Sequence, residues 1–380
     1  MKRALLVIIF LAFNSFLSFI PASYGANLRK DPGIYYNPTI LSGNYTLARI
    51  KLCNDFKTFN ECGLKEVYFL VKSQSYVFYN STHHRSYFEY DALSLALTIA
   101  DKFNLTVHAW FVVGRDEFLI SQNESYAMRD INNRTSDWII FYHPDIKTLY
   151  LNMVSELIQN YPIKGIHFDY IRYPPSYSYD NYTRQIFKEK YGFDPKDDPE
   201  NPLWKQWRKD QVTQFVNETY ILIKSIDLDK QLSCSVLGDP EAYLQEWPKW
   251  ESLMIVDFLN VQNYQTYDTV FIRNLEANFK RWNKIVPLKV VVGLYQWEQQ
   301  GINITTAKEK IKWQITEVFK YGFSGFDLFR DVYLYQFRDI LPIEPIEPSQ
   351  PSFQDWIPKS IAIGLIVLGL ALGIYFLWKF

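Results

Sequence analysis

Eight strongly apolar, β-prone runs alternate with eight helical patterns between residues 26 and 341, and few folds accommodate that alternation. The strand-like runs are 33–37, 65–72, 106–113, 165–170, 232–238, 258–264, 289–295 and 325–329. Most are nearly continuous in hydrophobic residues, as parallel strands covered on both faces require. Helical spacing follows each of them, at 47–59, 91–103, 144–160, 204–226, 242–253, 269–282, 305–321 and 332–341. In the third of these, Ile146, Leu149, Tyr150, Met153, Leu157 and Ile158 trace one apolar stripe. Eight strand–helix pairs in a single domain spanning 26–341 predict an α/β fold, a (β/α)8 TIM barrel. A doubly wound sheet shows the same alternation, but no glycine-rich phosphate turn follows any run.

The two ends carry different signals. Lys2 and Arg3 precede an almost wholly apolar stretch, 4–20, and small residues follow up to Ala26. Residues 1–25 therefore read as a signal peptide. Repeated prolines from Pro342 to Pro351 favour extended backbone, so 342–358 reads as a stalk. Residues 360–378 contain no charge in 19 positions. At about 1.5 Å per residue they span roughly 28 Å, close to a bilayer core of about 30 Å. Lys359 and Lys379 bracket the segment, and Trp356, Tyr375 and Trp378 suit the interfaces. Residues 359–380 are thus expected to form a transmembrane anchor, with the domain outside the cell and held at the cell membrane by a single pass.

Glycosylation motifs agree with that placement. Asn-x-Ser/Thr occurs at Asn44, Asn80, Asn104, Asn123, Asn133, Asn181, Asn217 and Asn303. With 22 asparagines and 39 serines plus threonines in 380 residues, chance gives about two. The excess points to an exported glycoprotein. Outside the cell a local disulfide between Cys53 and Cys62 becomes available, and a pair of reduced buried thiols fits as well. Cys234, in an apolar run, reads as a core residue. No Cys/His spacing resembles a metal site, and no cofactor is expected.

Charge narrows the partners. Lys plus Arg number 40 and Asp plus Glu 41, which argues against nucleic acid, since that partner favours a basic stripe. Aromatic residues make up 18% of the chain, enough to build a large core and leave rings over for a binding surface.

A barrel places its chemistry at the C-terminal ends of its strands. There the sequence offers His108, Trp110 and Arg115; His167, Asp169, Arg172 and Tyr173; Asp239; Gln262, Asn263 and Tyr264; Tyr295, Trp297 and Glu298; and Asp327 with Arg330. Asp169 is the most informative. Alternation puts it on one face of its strand with His167, opposite Ile166 and Phe168. A carboxylate there is either paired with Arg172 as structure or used as a catalytic group at the mouth.

The run Gly165-Ile-His-Phe-Asp169-Tyr-Ile-Arg-Tyr-Pro174 resembles the signature of the glycosyl-hydrolase-like family 10 barrels. His108-Ala-Trp110 is similar to that family's third-strand motif. His143-Pro144, Ser235 to Asp239, Trp247 to Trp250, Val256-Asp257, Gln262-Asn263-Tyr264 and Gly293-Leu-Tyr295 fall in its order. One departure is Tyr170, where many relatives carry a second acidic residue. The resemblance implies a glycoside hydrolase acting on an oligo- or polysaccharide.

Such hydrolysis usually uses two carboxyl groups, one kept protonated. Asp169 is the expected first member, as nucleophile or base, and the acid is sought among Asp239, Glu298 and Asp327. Sugar rings also need π faces and polar partners. The expected substrate-binding set is His108, Trp110, His167, Arg172, Tyr173, Asn263, Tyr264, Tyr295, Trp297 and Asp327. Tyr177, Tyr179 and Tyr182 crowd the irregular loop after the fourth strand. The reading is a membrane-anchored extracellular glycosidase; the alternative is a cell-surface carbohydrate-binding barrel without catalysis.

Overall fold

The chain runs β1 (Gly33–Tyr36), α1 (Tyr45–Glu61), β2 (Glu66–Lys72), α2 (Ala92–Lys102), β3 (Thr106–Val112), α3 (Glu117–Gln122), β4 (Ala127–Arg129), β5 (Thr135–Ile139), α4 (Pro144–Asn160) and β6 (Gly165–Asp169). It continues with α5 (Asn181–Tyr191), α6 (Pro202–Ile226), β7 (Gln231–Leu237), α7 (Trp247–Ser252), β8 (Phe258–Asn263), α8 (Asp268–Arg281), β9 (Leu288–Gly293), α9 (Gln296–Gln299), α10 (Ile304–Lys320), β10 (Gly325–Phe329) and α11 (Asp331–Phe337). Eight parallel strands close in the order β1–β2–β3–β6–β7–β8–β9–β10, and β4 and β5 form a separate antiparallel hairpin. This computed structural model describes residues 28–174 and 176–342. The signal-peptide segment 1–25, the stalk beyond Pro342 and the anchor 359–380 lie outside the described residues. Among the described residues no helix is long and apolar enough to cross a membrane.

The expected (β/α)8 barrel is therefore present, and each strand end falls within two residues of its expected place. Local chemistry explains several element boundaries. Asn44, Asp91 and Asn303 accept hydrogen bonds from the backbone N–H groups of Leu47, Ser94 and Thr306, which caps α1, α2 and α10. Pro144 and Pro202 open α4 and α6 with preset backbone angles. At Gly165 a Cβ would lie 2.1 Å from the Gln231 carbonyl oxygen, so only glycine lets β6 start against β7.

Two expected elements are corrected. The helix expected over 242–253 is only α7, because Gln245 turns inward. Its side chain accepts from Leu237 N at 3.0 Å and donates to Ile171 O at 3.0 Å, which holds the preceding segment as a turn. The helix expected over 332–341 ends at Phe337 and tightens into a 3-10 turn over Arg338–Ile340. The β4–β5 hairpin had no signal, since its strands are short and mostly polar. Cys53, Cys62 and Cys234 are all unpaired thiols.

The interior of the lower barrel is polar rather than branched-aliphatic. The Lys289 ammonium meets the carboxylates of Glu66 (2.8 Å) and Asp327, and the Tyr68 hydroxyl at 3.2 Å. Asn260 donates to Asp327 at 2.8 Å. Burial pushes the Asp327 carboxyl up to about 7 against the pull of Lys289. Glu66 is driven the other way, well below the usual carboxylate range, by Lys289, His108 and Lys30 against the cost of its own burial.

Candidate active site

Alternation along β6 sends Phe168 outward, where its ring meets Phe111 and Phe215 at 5.8 and 5.7 Å. The same alternation turns His167 and Asp169 into the barrel. Asp169 ends the strand and is 3% exposed. Its Oδ2 accepts from the Trp110 indole Nε1 at 3.2 Å, and its Oδ1 accepts from the Tyr170 backbone N–H at 2.8 Å. The Arg172 guanidinium stands 3.6 Å from Oδ1. Burial dominates these favourable contacts and holds the Asp169 carboxyl above the usual carboxylate range.

The backbone around Asp169 is specialised. Tyr170 adopts φ 55°, a conformation rarely taken by a non-glycine residue. Its carbonyl oxygen approaches Gly114 so closely that a Cβ there would lie 2.4 Å away, and 2.7 Å from the Trp138 ring. Gly114 thus lets the β4–β5 hairpin lean over the mouth. Trp138, on that hairpin, packs near Tyr170 at 5.6 Å, and the Arg172 guanidinium lies 4.5 Å from the Tyr170 ring centre.

Aromatic rings from four strands complete the mouth. Tyr264 meets Tyr295 at 5.8 Å and Phe329 at 5.4 Å, and Phe329 meets Trp110 at 6.1 Å. Tyr35 lies beneath, 5.1 Å from Trp110 and 5.5 Å from Phe329. Tyr264, Tyr295 and Phe329 are half-buried, so each keeps part of a surface available. Gln262 also stands at this level and donates to Ser235 Oγ at 2.7 Å.

The expected site residues separate into four groups. Asp169, Trp110, Arg172, Tyr264 and Tyr295 are linked through the contacts just described. His108, His167 and Asp327 lie deeper and fully buried. His167 bonds Tyr35 Oη at 2.9 Å and Ser233 Oγ at 2.8 Å, and burial drives its pKa well down, so the ring is neutral. His108 lies 3.8 Å from Glu66, and Asp327 sits in mid-strand, two residues before Phe329. Tyr173, Asn263 and Trp297 are buried in supporting roles. Tyr173 packs on Phe141 and Tyr142, Asn263 bonds the Phe271 carbonyl and Asn274, and Trp297 donates to Gly293 O.

The remaining carboxylates are exposed. Asp239 accepts from Glu241 N at 3.0 Å and so holds a turn. Glu298, on α9, has no side-chain hydrogen bond or ion pair among the described residues. No cluster of His, Cys, Asp and Glu among the described residues could hold a metal ion.

Three contributors were missed as candidates, Tyr35, Trp138 and Phe329, and Gln262, offered at a strand end, was left out of the expected binding set. Gln262 and Phe329 follow from alternation, two residues on from the buried Asn260 and Asp327. Tyr35 lies in the short first strand, and Trp138 comes from the unsignalled hairpin.

Comparison with known proteins bears on this geometry. The sequence profile described as "Glycosyl hydrolase-like 10" matches residues 39–315. The glycosyl hydrolase DigH of Escherichia coli K12 is 27% identical over 175 residues, which covers 39% of this chain and 36% of that protein. The chain thus spans about a third of the length of the curated relatives it matches. An α-L-fucosidase, isoenzyme 2 from Paenibacillus thiaminolyticus, superimposes with a TM-score of 0.64 at 12% identity, over 82% of this chain and 49% of that one. The catalytic domain of a β-amylase from Paenibacillus polymyxa gives 0.57 at 12% identity, over 82% and 97%. At such identities these structures share the fold.

Proposed function

Because the chain belongs to the glycosyl hydrolase-like 10 family, we propose that it is an extracellular glycoside hydrolase, held at the cell membrane through residues 359–380, that cleaves O-glycosidic bonds of a surface or environmental glycan. The observation that carries this reading is Asp169: a buried carboxyl kept above its usual pKa, at the end of a barrel strand and ringed by partly open aromatic faces. Burial raises the proton affinity of Asp169, the direction a general acid needs before it donates to the leaving oxygen, so Asp169 takes the acid role here rather than the nucleophile or base role expected from sequence.

Glu298 is the better-placed second carboxylate. It follows Tyr295, whose ring contacts Tyr264 and Phe329, and it carries no structural bond, whereas Asp239 is committed to its turn. A separation of about 5–5.5 Å from Asp169 on substrate binding makes the enzyme retaining; about 6.5–9.5 Å makes it inverting. Trp110 and Arg172 hold the acid in place, and Tyr264, Tyr295 and Phe329 offer faces to sugar C–H groups.

The test is hydrolysis of a panel of α- and β-linked oligosaccharides by the full chain in detergent, beside its Asp169→Asn variant. The acid role predicts a loss of about 10²–10⁴-fold. Equal product from both proteins sinks it. The Asp169–Arg172 pair also supports a second reading, a carbohydrate-binding barrel in which the carboxylate is locked. Binding by the wild type without any product selects that reading.

A further inference from the structure

Eight glycosylation motifs lie in the described residues, and the fold treats them unequally. At Asn44, Asn123, Asn133 and Asn303 all three motif residues are exposed, from the asparagine to the Ser or Thr two positions on. The side-chain oxygens of three of these asparagines are already engaged. Asn44 Oδ1 accepts from Leu47 N at 3.1 Å, Asn303 Oδ1 from Thr306 N at 2.9 Å, and Asn123 Oδ1 from Ser125 N at 3.1 Å. Each bond uses the oxygen and fixes the side chain, and leaves the Nδ2 amide outside the bond to that donor N–H. Asn133, at φ 66°, sits in the turn of the β4–β5 hairpin.

The other four motifs are compromised by folding. Thr219, the hydroxyl residue of the Asn217 motif, is fully buried and bonds Phe215 O at 2.9 Å in the middle of α6. Thr183, of the Asn181 motif, is buried against Tyr142 and Asp180. The Asn104 motif has Leu105 buried at its centre, and the Asn80 motif has at its centre the half-buried Ser81, which donates to Glu156 at 2.7 Å. A transferase that needs the whole motif at the surface finds all three residues exposed only at the first four.

We propose that Asn44, Asn123, Asn133 and Asn303 carry N-linked glycans that form a partial collar around the barrel mouth. All four follow barrel strands on the side where Asp169 lies: Asn44 after β1, Asn123 and Asn133 after β3, and Asn303 after β9. In the closed order these strands mark out the arc β9–β10–β1–β2–β3, and the hairpin that carries Asn133 packs on the loop after β6, so the arc of β7 and β8 stays uncovered. A long glycan therefore reaches Asp169 from the β7–β8 side. The co-reactant is an oligosaccharide joined to a lipid through phosphate. The Nδ2–C1 bond forms, the C1–O bond to phosphate breaks, the lipid phosphate leaves and one amide proton passes to a base. This proposal rests on the extracellular placement above, and not on hydrolysis.

The test is peptide mass spectrometry of the full chain from its native membranes, with surface-protease digestion of whole cells in parallel. Modification at the four asparagines, with Asn217 and Asn181 bare, is the expected result. Removing hydroxyls by Thr46→Ala, Ser125→Ala, Thr135→Ala and Thr305→Ala spares every asparagine and its cap, and collapses the gel mobility to that of the bare polypeptide. A protease-accessible chain without glycans overturns the collar alone. A chain that is neither accessible nor modified overturns both the collar and the extracellular placement. Equal occupancy at Asn217 overturns the folded-surface rule on which the assignment stands.

Discussion

Trp110 donates its indole N–H to the Asp169 carboxylate at 3.2 Å, and both side chains are almost wholly buried at the ends of adjacent strands. The pair concentrates the opposing influences on that carboxyl. Burial raises its pKa, while Arg172, the Tyr170 amide and Trp110 lower it.

A pH profile reads out this balance. With Asp169 as the proposed acid, activity is expected to fall as pH rises through its raised pKa. Arg172→Met removes the largest lowering influence, so the alkaline limb of kcat/KM moves to higher pH. Trp110→Phe moves it the same way by less. An unmoved alkaline limb in both variants assigns the acid elsewhere.

Asp327 gives a stability profile. Its folded pKa of about 7 stands above the ordinary 3.8. The native state therefore binds its proton more tightly, and the stability this contributes is full below about pH 4 and fades as pH rises through about 7. Asp327→Asn removes that dependence. Denaturant midpoints of the wild type should decline relative to the variant between about pH 4 and 7; parallel curves refute the assignment.

The barrel was legible because burial on both faces leaves long apolar runs, and Gly165 to Pro174 is distinctive enough to locate Asp169. Depth was less legible. His108 and Asp327 look like strand-end polar residues in one dimension, but two residues of register place them in the barrel interior with Glu66 and Lys289. Asn263 was chosen over Gln262 although alternation with Asn260 turns Gln262 inward. Trp138 could not be found, because its position depends on a hairpin whose contact with Tyr170 is set by Gly114.

A second buried network ties the loops after β2 and β3 together. Lys72 pairs with Asp116 at 2.9 Å, with both side chains fully buried, and Tyr150 donates to the same carboxylate at 3.2 Å. Lys72→Met strands a buried charge and costs about 3–5 kcal/mol in urea unfolding. The double variant Lys72→Met, Asp116→Leu recovers part of that loss, because no charge is left unpaired. Additive losses in the double-mutant cycle contradict this coupling.

The aromatic residues at the mouth divide by exposure, and kinetics separates them. Tyr295 is half-buried and meets Tyr264 and Phe329 only at ring edges or tilted, so its removal leaves the barrel closed. Tyr295→Ala deletes a sugar platform worth about 1–1.5 kcal/mol, and raises KM roughly tenfold with kcat and unfolding midpoint little changed. Trp297, two residues on, is 2% exposed and fills the core under the same strand end. Trp297→Ala leaves a cavity and costs about 3–5 kcal/mol of stability, with KM unchanged in the fraction that remains folded. If Tyr295→Ala instead unfolds the protein and leaves KM alone, the ring is core rather than binding surface, and the sugar path must run over Tyr264 and Trp138.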